Sequence, residues 1–228
     1  MLARVAKLPG EARLIEDASA ATLRIAATHA LSFTFLPQWL RDLGSASTAG
    51  QVQIMSDVLQ GCEALMQQRK VQFVLSHAHE KAIGALDAED YRCAQVGSDV
   101  LVPVSRPDAH GRPLHGLEAA GGATLPALLY SEESGLGRIL RAVLGRRLEQ
   151  LPLHAAFTAH AASVLRTMAL DGRGLSWLPR TLVGDDLERG RLVAAADDDW
   201  NVPVAIRLYR AGTPMGKAAE AFWRCATT

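Results

Sequence analysis

Little in these 228 residues is in surplus, and the shortages exclude several classes of function at once. Charge of one sign is lacking: 24 Lys and Arg face 24 Asp and Glu, for a formal net charge of zero. Holding nucleic acid takes a clustered excess of Lys and Arg against the phosphates, and none stands out. The nearest approach, four arginines within 138–147, reads as the polar face of one helix. Cysteine is scarce and odd in number, with Cys62, Cys93 and Cys225 showing no C-x-x-C spacing. That argues against a disulfide framework or a zinc knuckle and fits a reducing compartment. No apolar run approaches the roughly 20 residues that cross a bilayer. The N-terminus, MLARVAKLPGEARLIEDASA, starts basic but is interrupted by Glu11, Glu16 and Asp17, unlike an export signal. The expectation is a cytoplasmic protein with no membrane partner.

What is present is an ordinary globular composition, 49% hydrophobic against 21% charged, which excludes disorder and fibrous classes. At roughly 100–200 residues per domain, the length allows one large domain or two small lobes. Residues 1–20 are charged, punctuated by Pro9-Gly10, and read as a linker or the remnant of a helix. A rhythm then begins. The pattern predicts a strand over 22–28 and a helix with Phe33, Leu36, Leu40 and Leu43 on one face. A strand over 51–55, a helix over 57–70 and an apolar strand over 71–76 follow. Strand, helix, strand, helix, strand is the signature of a parallel sheet with crossover helices. The theme returns with strands over 99–105, 125–130, 153–158 and 175–178, helices over 137–147 and 161–170, and a final strand (202–210) and helix (215–225). No repeat of solenoid period occurs. Two α/β lobes of about a hundred residues each follow.

In such sheets ligands gather where strands end and helices begin. Thr28-His29-Ala30-Leu31-Ser32 joins the first strand to the first helix, where hydroxyls and a helix N-terminus favour a carboxylate or other anion; Ser32 equally suits a plain helix cap. Ser76-His77-Ala78-His79 follows the third strand. H-x-H can begin a metal site, but two ligands are too few and no spacing supplies a third, so Ser76 and His77 read as polar lining of a cleft. Tyr130-Ser131 and Thr158-Ala159-His160 end strands of the second lobe, so Ser131, Thr158 and His160 should face the same crevice; Thr158 also suits an N-cap. Gly174-Leu175-Ser176-Trp177-Leu178 lacks the final glycine of a nucleophile elbow, and no Ser/His/Asp ordering stands out, so no enzyme and no cofactor is expected. Of the thiols, Cys225 has Arg224 beside it and Cys62 lies on an apolar helix face; oxidant sensing depends on their exposure.

Three segments in order carry a family resemblance: LRIAATHALSFTFLP (23–37), the VLQG…VQFVLS unit (58–76) and ALDGRGLSWLP (169–179). Together they resemble the effector-binding domain of LysR-type transcriptional regulators over about residues 23–223. LLYSEES (128–134) and AEAFWR (219–224) make the chain similar to the hypochlorite-responsive subgroup. The resemblance implies a type 2 periplasmic-binding-protein-like α/β fold, with two lobes joined by two crossover segments near 94–99 and 197–202. Lobe I would be 21–96 with 201–228, and lobe II 97–200. Nothing before Thr22 could supply the helix-turn-helix of such regulators, so DNA would be bound only through a domain absent from this chain. A small-molecule effector would sit between the lobes, with a transporter's solute-binding protein as the rival of the same fold. The resemblance also implies a homodimer, tetrameric when full-length. The first helix would pack near 137–144 of a partner, because Phe35 and Trp39 add more apolar surface than one lobe face can cover.

Overall fold

The structure, a computed structural model, describes residues 22–44, 51–118 and 124–228. The proposed helix remnant at 1–20 lies outside the described residues. Strand β1 (Leu23–Thr28) is buried on both faces, as its near-continuous apolar run requires. It pairs in parallel with β2 (Val52–Asp57) on one side and β3 (Phe73–Ala78) on the other. The sheet is not purely parallel. β9 (Val202–Ala211) runs antiparallel between β3 and β4 (Tyr91–Ser105), and β7 (Ser176–Pro179) and the short β8 (Val193–Ala194) pair antiparallel with β4. The resulting order is β2-β1-β3-β9-β4-β7. A second sheet joins β5 (Leu125–Tyr130) and β6 (Leu153–Ala159) in parallel. It is stitched to the segment before β7 through Leu128 N–H to Leu175 O at 2.8 Å and Leu175 N–H to Pro126 O at 3.0 Å.

Two long strands thus link the lobes. β4 and β9 pair from Tyr91↔Ala211 to Leu101↔Val202, with a register shift between Gln95 and Gly97. Their ends beyond that shift hold β7 and β8, whereas the other end of β9 holds β3. The strand expected from residue 99 therefore begins at Tyr91 and has 15 residues. Its first half mixes exposed and half-buried positions and lacks the apolar run that marks the second.

The first helical stretch divides into α1 (His29–Thr34) and α2 (Leu36–Leu43), with Phe35 between them. Pro37 lies in the first turn of α2, where its missing N–H is tolerated, but it cannot carry one helix unbroken through 29–43. In consequence Phe33, expected inward, is 71% exposed. Phe35 and Trp39 are half-buried within the lobe. They stack on each other with ring centroids 5.8 Å apart, and Trp39 meets Phe222 edge-on at 5.9 Å. Phe222 belongs to α7 (Lys217–Ala226), which returns to cover the same face as Leu23, Ile25, Phe73 and Leu75. Buried Arg210 fastens that helix through two bonds to Glu220, whose carboxyl they draw down to about 2.

On the other face of the sheet, α3 (Leu59–Gln67) buries Cys62 and Met66 against Val71, Val74 and Tyr209. The second lobe is built on Leu128, Ile139, Leu140, Leu165, Leu175 and Leu178, from the strands together with α4 (Gly135–Glu149) and α5 (Ala162–Leu170). A further helix, α6 (Arg180–Glu188), starts directly after Pro179. Sequence reading ended the element at that proline; here it is the residue before the first helical turn.

Candidate functional site

The carboxyl ends of β1, β2 and β3 face those of β5 and β6 across a narrow cleft with about 30 Å³ of room for water-sized molecules. One wall carries Thr28, His29, Asp57 and His77, the other Ser134 and His160. The position follows from topology: parallel strands bring each βα loop, and each helix N-terminus behind it, to the same edge.

Thr28 is the residue before α1, yet its hydroxyl caps nothing and is buried without a hydrogen-bond partner. His29 accompanies it, its Nδ1 2.9 Å from Ser56 Oγ. Across the cleft, the His160 ring lies 5.8 Å from that of His29, centroid to centroid. Ala161, ahead of α5, supplies no side-chain cap, so the first-turn N–H groups of that helix are left to solvent or a ligand. Ser134 caps α4 by accepting from Gly137 N–H at 3.4 Å. Asp57 neutralises the start of α3: its Oδ1 accepts from Val58 N–H at 2.7 Å, and its carboxylate occupies the space a Cβ on Gly61 would need.

His77 is inside β3 rather than after it, and is buried. Its Nε2 lies 3.4 Å from Asp99 Oδ2. Because an ionised carboxylate can only accept, the ring nitrogen donates. Asp99, on β4, also accepts from Thr181 N–H at 3.2 Å, Thr181 Oγ1 at 2.6 Å and Val100 N–H at 2.7 Å. Burial works against its charge, but the bonds from His77 and Thr181 outweigh it and hold the carboxyl below its usual range. One carboxylate on a shared strand thereby ties β3 to the start of α6.

Of the eight residues singled out from the sequence, Thr28, His29, His77 and His160 line this cleft together. Ser32 does not. It lies one turn into α1, bonded to His29 O and to Ser56. Ser76 is buried beside a second, smaller cleft, where Glu63 of α3 meets Arg138 of α4 at 3.6 Å. Ser131 is half-buried at the end of β5, outside the lining, and Thr158 is exposed on β6. Sequence reasoning missed Asp57, Ser134 and Asp99. A charged residue inside the apolar run of 99–104 was a legible signal for Asp99; Asp57 was hidden by extending the helix back over the end of β2.

Other chemistry finds less support. Ser176 is 1% exposed and donates to Leu128 O at 2.9 Å, a structural role. Burial, reinforced by Asp57, pushes the Cys62 thiol up to about 12, whereas Cys93 is exposed and Cys225 half-buried. Among the described residues no group of three His, Cys, Asp or Glu is arranged to hold a metal, and no helix is long and apolar enough to cross a membrane.

Two α/β lobes, linked by a pair of long strands and facing each other across a polar cleft, define a type 2 periplasmic-binding-protein-like ligand-binding domain. The family model described as the LysR substrate binding domain matches residues 16–228, and the chain belongs to that family. It is 29% identical over 202 residues to the HTH-type transcriptional regulator YjiE of Escherichia coli strain K12, covering 89% of this chain and 63% of that protein. The chain thus spans less than two thirds of that relative. The HTH domain-truncated regulator QseD of Escherichia coli O157:H7 is likewise 29% identical, over 89% of this chain and 79% of QseD. Among solved structures, the bromide-bound regulatory domain of HypT from Salmonella typhimurium superimposes with a TM-score of 0.75 at 26% identity, over 90% of this chain and 93% of that one. Full-length HypT, described as a hypochlorite-specific LysR-type regulator, gives 0.76 at 25% identity, over 96% of this chain and 72% of that one.

Proposed function

We propose that this chain senses a small anionic effector in the cleft between its lobes and transmits the event to a DNA-binding domain. The observation that carries this reading is the pairing of donors across the cleft. The unpartnered Thr28 hydroxyl stands on one side and the uncapped N-terminus of α5 on the other. A ligand bonded to both makes contacts that exist only when the lobes are closed, so it shifts the population toward that state. The bromide-bound form of the HypT regulatory domain supports an anion as the class of ligand. We place lobe I at 21–96 with 201–228 and lobe II at 97–200. We assign the working protein as a cytoplasmic homodimer, tetrameric when joined to its DNA-binding domain.

A thermal-shift titration with bromide, formate and acetate tests the reading, since a ligand that prefers the folded state raises apparent stability by mass action. The expected result is a saturable rise that Thr28→Ala diminishes. An equal rise in parent and variant, or none, counts against it. The likeness to full-length HypT, a hypochlorite-specific regulator, favours a second reading, oxidant sensing. Buried Cys62 does not suit it, so exposed Cys93 is where mass spectrometry after hypochlorite treatment should find modification.

A further inference from the structure

His29, Ser32 and Ser56 form a closed ring of hydrogen bonds, and counting its protons fixes the tautomer of His29. Ser32 Oγ donates its one proton to the His29 carbonyl at 2.8 Å. In its 2.8 Å contact with Ser56 Oγ, Ser32 must therefore accept, and Ser56 donates. The Ser56 proton being used, its oxygen can only accept from His29 Nδ1 at 2.9 Å. The relay runs from His29 Nδ1–H to Ser56, to Ser32, and back to the His29 carbonyl. The neutral imidazole consequently carries its proton on Nδ1 and keeps a bare lone pair on Nε2. That ring lines the cleft opposite His160.

A lone pair repels an anion. We propose that an anion enters this cleft together with one proton, which settles on His29 Nε2 and donates to the anion between His29 and His160. The inference rests on the anion reading above and specifies how that site is regulated. In the bound state the ring is an imidazolium, with Nδ1–H still bonded to Ser56 and Nε2–H bonded to the anion. The proton comes from solvent when the ligand is a strong-acid anion such as bromide, and from the ligand itself when a weak acid enters undissociated. Other charges face the site. Asp57 at the end of β2 favours a proton nearby and disfavours an unaccompanied anion. His77 on β3 is engaged by Asp99 of β4, and Glu133, ahead of α4, is coupled to His160. Arg180, at the start of α6, is exposed.

The first test needs no ligand. Long-range proton–nitrogen NMR correlations on the 228-residue chain at alkaline pH should show His29 as the Nδ1–H tautomer; an Nε2–H pattern overturns the proposal. Calorimetric titration with sodium bromide, and with formate, in HEPES and in Tris should then show about one proton taken up per bromide. Affinity should fall about tenfold per pH unit on the alkaline limb. His29→Gln presents an amide N–H at all pH, so its binding should lose the pH dependence. Ser56→Ala frees the tautomer, so affinity on the alkaline limb should rise above the parent's, which loss of a merely structural contact would not produce. His160→Gln should keep the proton uptake. Anion binding in the cleft, weakened by Thr28→Ala but without proton uptake, refutes the relay while leaving the anion reading intact. Absence of binding by either probe at 100 mM or so removes both.

Discussion

Replacing Asp99 should loosen the molecule where its lobes meet. The side chain is 1% exposed and accepts four hydrogen bonds, at 2.6, 2.7, 3.2 and 3.4 Å. The 3.4 Å bond from His77 is the longest of the four and the one that reaches across from β3. Asp99→Ala orphans Thr181 N–H, Thr181 Oγ1 and Val100 N–H, each of which costs about 1–3 kcal/mol if it stays buried. Water entering the vacated space relieves part of this, so a loss of about 3–4 kcal/mol is expected. Asp99→Asn keeps an acceptor for both backbone donors and should lose only about 1–2 kcal/mol. The sign with pH follows from the depressed carboxyl. Stabilisation from the ionised form is fully present above the unfolded-state value near 3.9 and disappears as pH falls through the lower folded value. The gap between parent and Asp99→Asn should therefore be constant down to about pH 5 and shrink below about pH 4. Urea unfolding followed by circular dichroism across that range measures both quantities. An alanine variant within about 0.5 kcal/mol of the parent, or an asparagine gap that persists undiminished in acid, refutes the reasoning.

Asp186, fully buried, holds Arg166 at 2.5 and 2.9 Å and Arg191 at 2.6 Å, so Asp186→Ala should cost about 3–5 kcal/mol in the same assay. A Cβ on Gly174 would stand 2.5 Å from the Pro126 carbonyl oxygen, and backbone cannot swing aside, so Gly174→Ala should cost about 1–3 kcal/mol. Thr28→Ala should weaken bromide binding by about 1 kcal/mol, whereas Ser76→Ala, which faces the Glu63–Arg138 cleft, should leave it unchanged; calorimetry separates the two. Light scattering at tens of micromolar protein should give a dimer mass.

The succession of βα units was legible because parallel strands buried on both faces read as apolar runs, and β1, β3 and β5 are such runs. The first half of β4 was not legible, since its pattern is half exposed and its strand character comes from pairing with β9, more than a hundred residues away. Helix α6 was lost because Pro179 was read as a terminator, although proline is as much at home at a helix entrance. The site was half legible for a similar reason. Thr28 ends its strand and His29 and His160 follow theirs, as βα connections do, and sequence reveals such connections. Ser76, Ser131 and Thr158 also sit at or near strand ends, but the pleat and the limits of the cleft direct them elsewhere.

Periodicity and loop position by themselves determined two α/β lobes, a shared edge where the strands' carboxyl ends meet, and the histidines that border it, because each is a local property of the chain. Tertiary structure alone decided that Asp99, rather than a residue of the loops, ties the lobes together, and that Asp57 brings a carboxylate to the cleft. It alone closed Ser32 and Ser56 into a ring with His29. Those outcomes depend on which strands lie side by side and on hydrogen-bond distances of 2.8–2.9 Å between residues up to 27 positions apart, and no local pattern encodes either.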